Sequence, residues 1–317
     1  MLIAILDALT LGLEADFSVL EKYGELKIHS TTCKTETFDR IEFADVVISN
    51  KVYLGKEEIA YAKKLKLICV AATGYNNIDT SAAKDKGIVV CNVKSYSTES
   101  VAQHTFALIL ALQNSLFENI SEVRNGNWSK SPIFTMINHP FNEISGKKIG
   151  ILGYGTIGKR VAEISNAFGM KVLIGKRPGV IYNDINRIEF SELISESDII
   201  SIHTPLSDNT RNLFGLKVFK KMKKTAILIN VARGGIVNEN DLFNALSNQM
   251  IKAAAIDVCD HEPIEAGSKL PGLKNLLITP HIAWASVESR KRLIEGIANN
   301  IEIFLSGNSD NINLTKN

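Results

Sequence analysis

The sequence predicts an α/β protein of two domains, each a doubly wound parallel sheet covered by helices. Three observations carry that prediction. Short apolar runs alternate with longer amphipathic segments from end to end. The runs are rich in Ile, Val and Leu and do not alternate with polar residues, as in strands buried on both faces. At 317 residues the chain has room for two domains of ordinary size.

The elements follow in order. A first series of strands is expected at 2–6, 26–29, 45–49, 67–70 and 88–91, and a second at 148–152, 171–174, 198–202, 226–230, 253–256 and 276–279. The segments between them suit crossover helices, giving β-α-β throughout. Between the two series, 97–112 opens on helix-capping residues, with Ser100 and Gln103 at capping-box spacing, and then becomes continuously apolar. A helix apolar on nearly all sides is buried, and this one is expected between the domains. The polar, turn-rich 125–132 reads as a loop or arm. No strong internal repeat is present.

Composition narrows the function classes. Hydrophobic residues are 45% and charged residues 22%, which excludes disordered and fibrous readings. Lys and Arg number 36 against 34 Asp and Glu, a net charge of +2 with no basic stripe. Nucleic acid and anionic membrane are therefore not expected partners. The four cysteines, Cys33, Cys69, Cys91 and Cys259, form no C-x-x-C pair, so reduced thiols and no metal site are expected. The apolar opening meets Asp7 at once without a basic lead, and reads as a first strand rather than a signal peptide. The longest apolar stretch, 106–112, is too short to span a bilayer. A cytoplasmic protein is the expectation.

The strand at 148–152 runs into Gly153-x-Gly155-x-x-Gly158, followed by a plausible helix at 159–168. Strand, glycine turn and helix together make a dinucleotide site, where the triplet alone would be weak. Gly153 would permit the tight turn, Gly155 would let a pyrophosphate approach the backbone, and Gly158 would let the helix pack on the strand. About 20 residues on, an NAD site usually carries an acid for the ribose hydroxyls. Here Gly175, Lys176 and Arg177 stand there. Two cations suit a 2′-phosphate, so NADP is favoured, with NAD the alternative if they are solvated loop residues.

Three further segments each follow an apolar strand. Asn230-Val-Ala-Arg-Gly-Gly places Arg233, Asp257-Val-Cys-Asp-His-Glu-Pro places Asp257 and Glu262, and Thr279-Pro-His-Ile-Ala-Trp places His281. Parallel sheets bind ligands outside the carboxyl ends of their strands, so these groups can converge. Singly, Arg233 could be a phosphate clamp, Glu262 a solvated acid and His281 a helix cap. His104, inside the apolar helix, reads as a satisfied buried histidine.

Taken together, these motifs resemble the D-isomer-specific 2-hydroxyacid dehydrogenase family over almost the whole chain. The resemblance implies two Rossmann-like domains with a cleft between them. A discontinuous substrate domain, 1–98 plus 287–317, would flank a dinucleotide domain, 99–286. Arg233, Glu262 and His281 then carry over as the catalytic triad. The segment 71–79, Ala-Ala-Thr-Gly-Tyr-Asn-Asn-Ile-Asp, matches the family's substrate loop, with Thr73 and Gly74 holding the substrate carboxylate through backbone N–H groups. Trp284 would wall the pocket or belong to the core. Besides the glycines, Lys176 and Arg177, the cofactor contacts implied are Thr105, Thr156, Ile157, His203, Pro205, Val231, Ala232 and Asp257. Asp257 would orient the carboxamide, with a structural turn acid as the alternative. Among family branches the glycerate dehydrogenases, which reduce hydroxypyruvate and glyoxylate, are most similar, and a homodimer built through the cofactor domain is implied. Phosphoglycerate oxidation is less favoured because the regulatory extension of many such enzymes is not seen. A dinucleotide-sensing corepressor scaffold is the alternative from another class, against which the full Arg/Glu/His set argues.

Overall fold

The computed structural model describes residues 1–182 and 186–316. The chain divides into two compact units, Met1–Ser97 with Ala285–Asn317, and Thr98–Trp284.

The first unit carries β1 (Leu2–Ile5), β2 (Glu25–Ile28), β3 (Val46–Ser49), β4 (Leu67–Val70) and β5 (Val89–Asn92). All pair in parallel in the order β2-β1-β3-β4-β5. Its interior strands β3 and β4 are buried at every position, in keeping with sequences that are apolar but for Ser49. β2 differs: it is an edge strand, and Glu25, Lys27 and Ile28 are exposed. Charged residues on an edge discourage pairing with another chain. The helix Val287–Leu305 belongs to this unit and buries Leu293, Ile294, Ile297 and Ile301. Gly296 lets it approach β5: a Cβ there would lie 2.5 Å from Val93.

The second unit carries β6 (Lys148–Leu152), β7 (Lys171–Gly175), β8 (Arg187–Ile188), β9 (Ile199–Ile202), β10 (Ile227–Asn230), β11 (Ala253–Ile256) and β12 (Leu276–Ile278). They form one parallel sheet in the order β12-β11-β10-β9-β6-β7-β8. Strand order therefore reverses between β6 and β9, and ligands of open α/β sheets bind at such a switch point. Two apolar layers cover the faces. One gathers Leu193, Phe214, Phe219 and Leu242; the other holds Val101, Phe106 and Ile109 of the helix Thr98–Gln113 against Ile149, Ile151 and Val161. That helix owes its all-round apolarity at least partly to packing inside its own unit, on the helix Thr156–Ala167 and on β10 and β11. The two-residue β8 was not expected; it is too short to leave a pattern in the sequence.

Candidate active site

The chain leaves β6 through Gly153 at φ +101°. A Cβ there would sit 2.5 Å from the main chain of His203, at the end of β9, so the turn is pressed against the neighbouring strand and needs glycine twice over. Gly158 lies in the first turn of Thr156–Ala167, where a Cβ would come within 2.1 Å of the Gly153 carbonyl. Gly155 is of another kind. Its φ of −85° suits any residue, and a Cβ would meet nothing within 4 Å. Neither conformation nor packing demands glycine, but a side chain would fill the space before the helix N-terminus. Thr156 and Ile157 open that helix, and no acidic residue occupies its first turn. Free N–H groups behind an open cradle fit the pyrophosphate of a dinucleotide.

Beyond β7 the cations have partners. The Lys176 Nζ sits 2.6 Å from Oε1 of Glu189, and Arg177 reaches Thr204 Oγ1 at 3.4 Å. A third cation, Arg187 of β8, lies 4.4 Å from the Tyr182 ring centre and 5.7 Å from that of Tyr154. Sequence reading missed both Glu189 and Arg187, because the part they play depends on β8 pairing beside β7.

His203 pairs through Nε2 with Ser201 Oγ at 2.8 Å, while its Nδ1 is buried without a partner among the described residues. Burial disfavours the imidazolium and pushes the pKa down to about 4. A ring kept neutral this way is no general acid at neutral pH. Pro205 follows on the surface. Thr105 is fully buried and donates to Val101 O within its own helix.

The three loops proposed for chemistry are tied to one another. Asn230, buried at the end of β10, donates from Nδ2 to Arg233 O at 2.9 Å and accepts from Ala232 N at 3.1 Å. The loop carrying Val231, Ala232 and Arg233 is thus folded around one amide side chain, and Arg233 donates from Nη1 to Ala232 O at 2.7 Å. Gly234 packs on the next loop so closely that a Cβ would sit 1.9 Å from Cys259 O, and Gly235 N donates to Asp260 Oδ1.

At the end of β11, Asp257 is buried. Its Oδ1 accepts from Thr279 Oγ1 and, at 2.9 Å, from Ile282 N; its Oδ2 accepts from Ala283 N at 2.8 Å. The turn-acid reading of Asp257 is therefore realised whatever else the carboxylate contacts. Helix Thr98–Gln113 holds the same turn from its other side. Ser100 Oγ donates to Ala283 O at 2.6 Å, and His104 Nε2 lies 3.0 Å from Thr279 Oγ1. Since that hydroxyl gives its proton to Asp257, the His104 ring is the donor.

Inside this clamp His281 takes φ +55°, an uncommon backbone for a residue with a Cβ. Its Nδ1 is 2.6 Å from Glu262 Oε2, and Glu262 Oε1 accepts from Cys259 N at 3.0 Å. The carboxylate fixes the ring so that Nδ1 donates to it and Nε2 faces away from Glu262. Trp284 is partly buried and packs with Ala283 against the apolar layer. In the first unit, Thr73 and Gly74 lie in the loop after β4, with Thr73 Oγ1 donating to Val93 O at 3.1 Å. Among the described residues no cluster of His, Cys, Asp and Glu could hold a metal, and no helix is long and apolar enough to cross a membrane.

A glycine cradle at the switch point and a carboxylate-bound histidine on the same sheet fit a nicotinamide-dependent oxidoreductase. Comparison with known proteins is specific. Residues 106–283 match the D-isomer specific 2-hydroxyacid dehydrogenase, NAD binding domain. A hydroxypyruvate reductase of Blautia hydrogenotrophica is 38% identical, covering 98% of this chain and 99% of its own. A glycerate dehydrogenase of Methylorubrum extorquens is 37% identical over 94% and 93% of the two chains. The solved structure of an acyclic imino acid reductase bound to NADPH and D-Arg superposes with a TM-score of 0.87 at 31% identity, covering 99% of this chain and 100% of that one. The chain belongs to the D-isomer specific 2-hydroxyacid dehydrogenase family, whose members oxidise or form a CH–OH group with a nicotinamide cofactor.

The His203 environment makes a stability prediction. Unfolding frees a ring whose ordinary pKa is 6.5, against about 4 when folded. The unfolded chain then binds the extra proton, so stability should fall as pH drops from 6.5 towards 4, by at most about 1.4 kcal/mol per pH unit. Thermal melts of wild type and His203→Gln across this window should diverge, the variant showing the shallower loss.

Proposed function

We propose that this protein reduces small 2-ketoacids, hydroxypyruvate and glyoxylate foremost, and in reverse oxidises the D-2-hydroxyacids. The observation that carries this reading is the His281–Glu262 pair, 2.6 Å apart and held by loops that also position Arg233. His281 would protonate the carbonyl oxygen as it becomes an alkoxide, or take the hydroxyl proton in the reverse direction. Glu262 stabilises the imidazolium. Arg233 would polarise the C2 oxygen and hold the carboxylate, for which its planar guanidinium is suited. The nicotinamide supplies or receives hydride at its C4. In this reading the unit Thr98–Trp284 binds the dinucleotide and the other unit, with Thr73 and Gly74, binds the substrate carboxylate.

His281→Ala should lower turnover by roughly 10²–10⁴-fold while the dissociation constant for cofactor changes little, measured by steady-state assay and fluorescence titration. Glu262→Gln should be milder, because an amide oxygen can still accept from Nδ1 and hold the ring while the carboxylate charge is lost. A near-normal His281→Ala enzyme would remove the assignment.

NADP is the proposed cofactor. Lys176 and Arg177 stand where an acid would repel a 2′-phosphate, and Arg187 adds a third cation nearby. One observation favours NAD instead: Glu189 already holds Lys176 and puts a carboxylate beside the pocket. The two readings separate by kcat/KM with NADPH and NADH. We expect NADPH to be preferred, Lys176→Asp to reverse the order, and Glu189→Gln to widen the preference; wild type preferring NADH ends the NADP reading.

A homodimer in a reducing cytoplasm completes the proposal. Its support is the apolar surface on the arm after the helix Leu116–Arg124, where Phe134 is 91% and Ile137 77% exposed, and four free cysteines. Sedimentation should give twice the chain mass, and Phe134→Asp with Ile137→Asp should halve it.

A further inference from the structure

The loop after β4 has an unusual backbone. In an extended chain successive carbonyls point to opposite sides. Here two in a row turn towards β5. Ala72 O accepts from Val93 N at 3.2 Å, and Thr73 O accepts from the side-chain Nδ2 of Asn92. Only the first is a main-chain ladder bond. The second lies out of step with the ladder, and a side-chain amide from the last residue of β5 provides its donor.

The geometry of the peptide unit makes this consequential. In a trans peptide the C=O of one residue and the N–H of the next point in opposite directions. With the Ala72 and Thr73 carbonyls both drawn to β5, the N–H groups of Thr73 and Gly74 both point away from it. Among the described residues nothing accepts from the N–H groups of Thr73, Gly74, Tyr75, Asn76 or Asn77. Beyond them the loop is tied again, Leu54 N donating to Asn77 O and Asp79 N to Leu54 O, both at 2.9 Å. Successive N–H groups aimed the same way form a concavity for an anion.

We propose that Asn92 is a positioning residue for substrate: it holds the Thr73–Gly74 peptide so that two adjacent amides present a nest to the substrate carboxylate. The inference rests on the ketoacid reading above. Asn92 is itself held from behind, since Asn300, buried on the helix Val287–Leu305, donates from Nδ2 to Asn92 O at 2.9 Å. That contact uses the Asn92 main chain, so replacing the side chain leaves the tie between helix and strand in place. Thr73 Oγ1, donating to Val93 O, braces the same peptide.

The test uses the full chain with NADPH bound, and the variants Asn92→Ala and Asn92→Asp. Aspartate keeps the shape but cannot donate to the Thr73 carbonyl. Two quantities are read: steady-state kinetics on glyoxylate, and binding of oxalate, a carboxylate that needs no turnover. Loss of one amide from a charged ligand should raise KM for glyoxylate and the dissociation constant for oxalate together, by about 10- to 100-fold. Turnover at saturation and cofactor affinity should stay within about threefold of wild type. A parallel loss in turnover, oxalate binding and cofactor affinity would mean a merely structural role and overturn the proposal, as would unchanged oxalate binding in both variants. A wild type that binds oxalate yet turns over no 2-ketoacid removes the activity reading, and the oxalate arm still decides for or against Asn92.

Discussion

Burying a carboxylate costs several kcal/mol unless its oxygens are saturated with donors, and the turn after β12 saturates that of Asp257. Three donors, Thr279 Oγ1, Ile282 N and Ala283 N, converge on its two oxygens. The exchange is mutual. Asp257 can be buried because the turn is there, and the turn takes its shape because Asp257 is buried. His281 lies between the first and second of these donors and inherits the left-handed backbone that puts its ring against Glu262. A left-handed residue with a Cβ costs about 1–2 kcal/mol. Three hydrogen bonds to a buried charge, each about 1.5–3 kcal/mol, outweigh that cost.

The same device recurs along the sheet. Asn230 ends β10 as a buried polar residue after an apolar run, and its amide folds the Arg233 loop as Asp257 folds the His281 turn. Asn92 ends β5 in the other unit and holds the loop after β4. In each case the strand is apolar until its carboxyl end, where one polar side chain serves the loop rather than the ladder. Parallel strands place all such ends at one edge of a sheet, so short-range loop anchors suffice to bring together groups far apart in sequence. Neighbouring anchors also join: Gly234 against Cys259, and Gly235 N on Asp260, knit the β10 and β11 loops.

What was legible in the sequence was what repeats locally. Strands buried on both faces advertise themselves as unbroken apolar runs, and Gly153 and Gly158 of the triplet answer local requirements of turn and helix. β2 was located, and the charged Glu25 and Lys27 that mark it as an edge strand were in the sequence, but its place beside β1 alone was not. The residues proposed for chemistry could be picked out by their places after strands, and their joint meaning came from family resemblance. Their supports escaped notice. Ser100 and His104 lie on a helix some 175 residues before the turn they hold, and nothing in their spacing points there. Asn230 closes the strand expected at 226–230 and Asn92 lies just past the one expected at 88–91, and an amide in either place has no sequence mark that separates a loop anchor from a solvated residue.

Lys176 shows how a tertiary partner changes a charge argument without cancelling it. From the sequence it is a cation facing a ribose. In the fold it is an ion pair with Glu189, so an incoming 2′-phosphate meets an acid as well as a base. Magnitudes decide which wins. The Glu189 side chain is 66% exposed, and an ion pair so open to water is worth about 0–1 kcal/mol. A charge-assisted hydrogen bond to phosphate is worth about 1.5–3 kcal/mol, and more than one cation stands in reach of the β7 end. The internal pair is thus the weaker, and Lys176 can exchange one oxygen anion for another. Under the NADP proposal Glu189 would lower the selectivity for a phosphorylated ribose rather than invert it, because it would remain close after Lys176 had turned away.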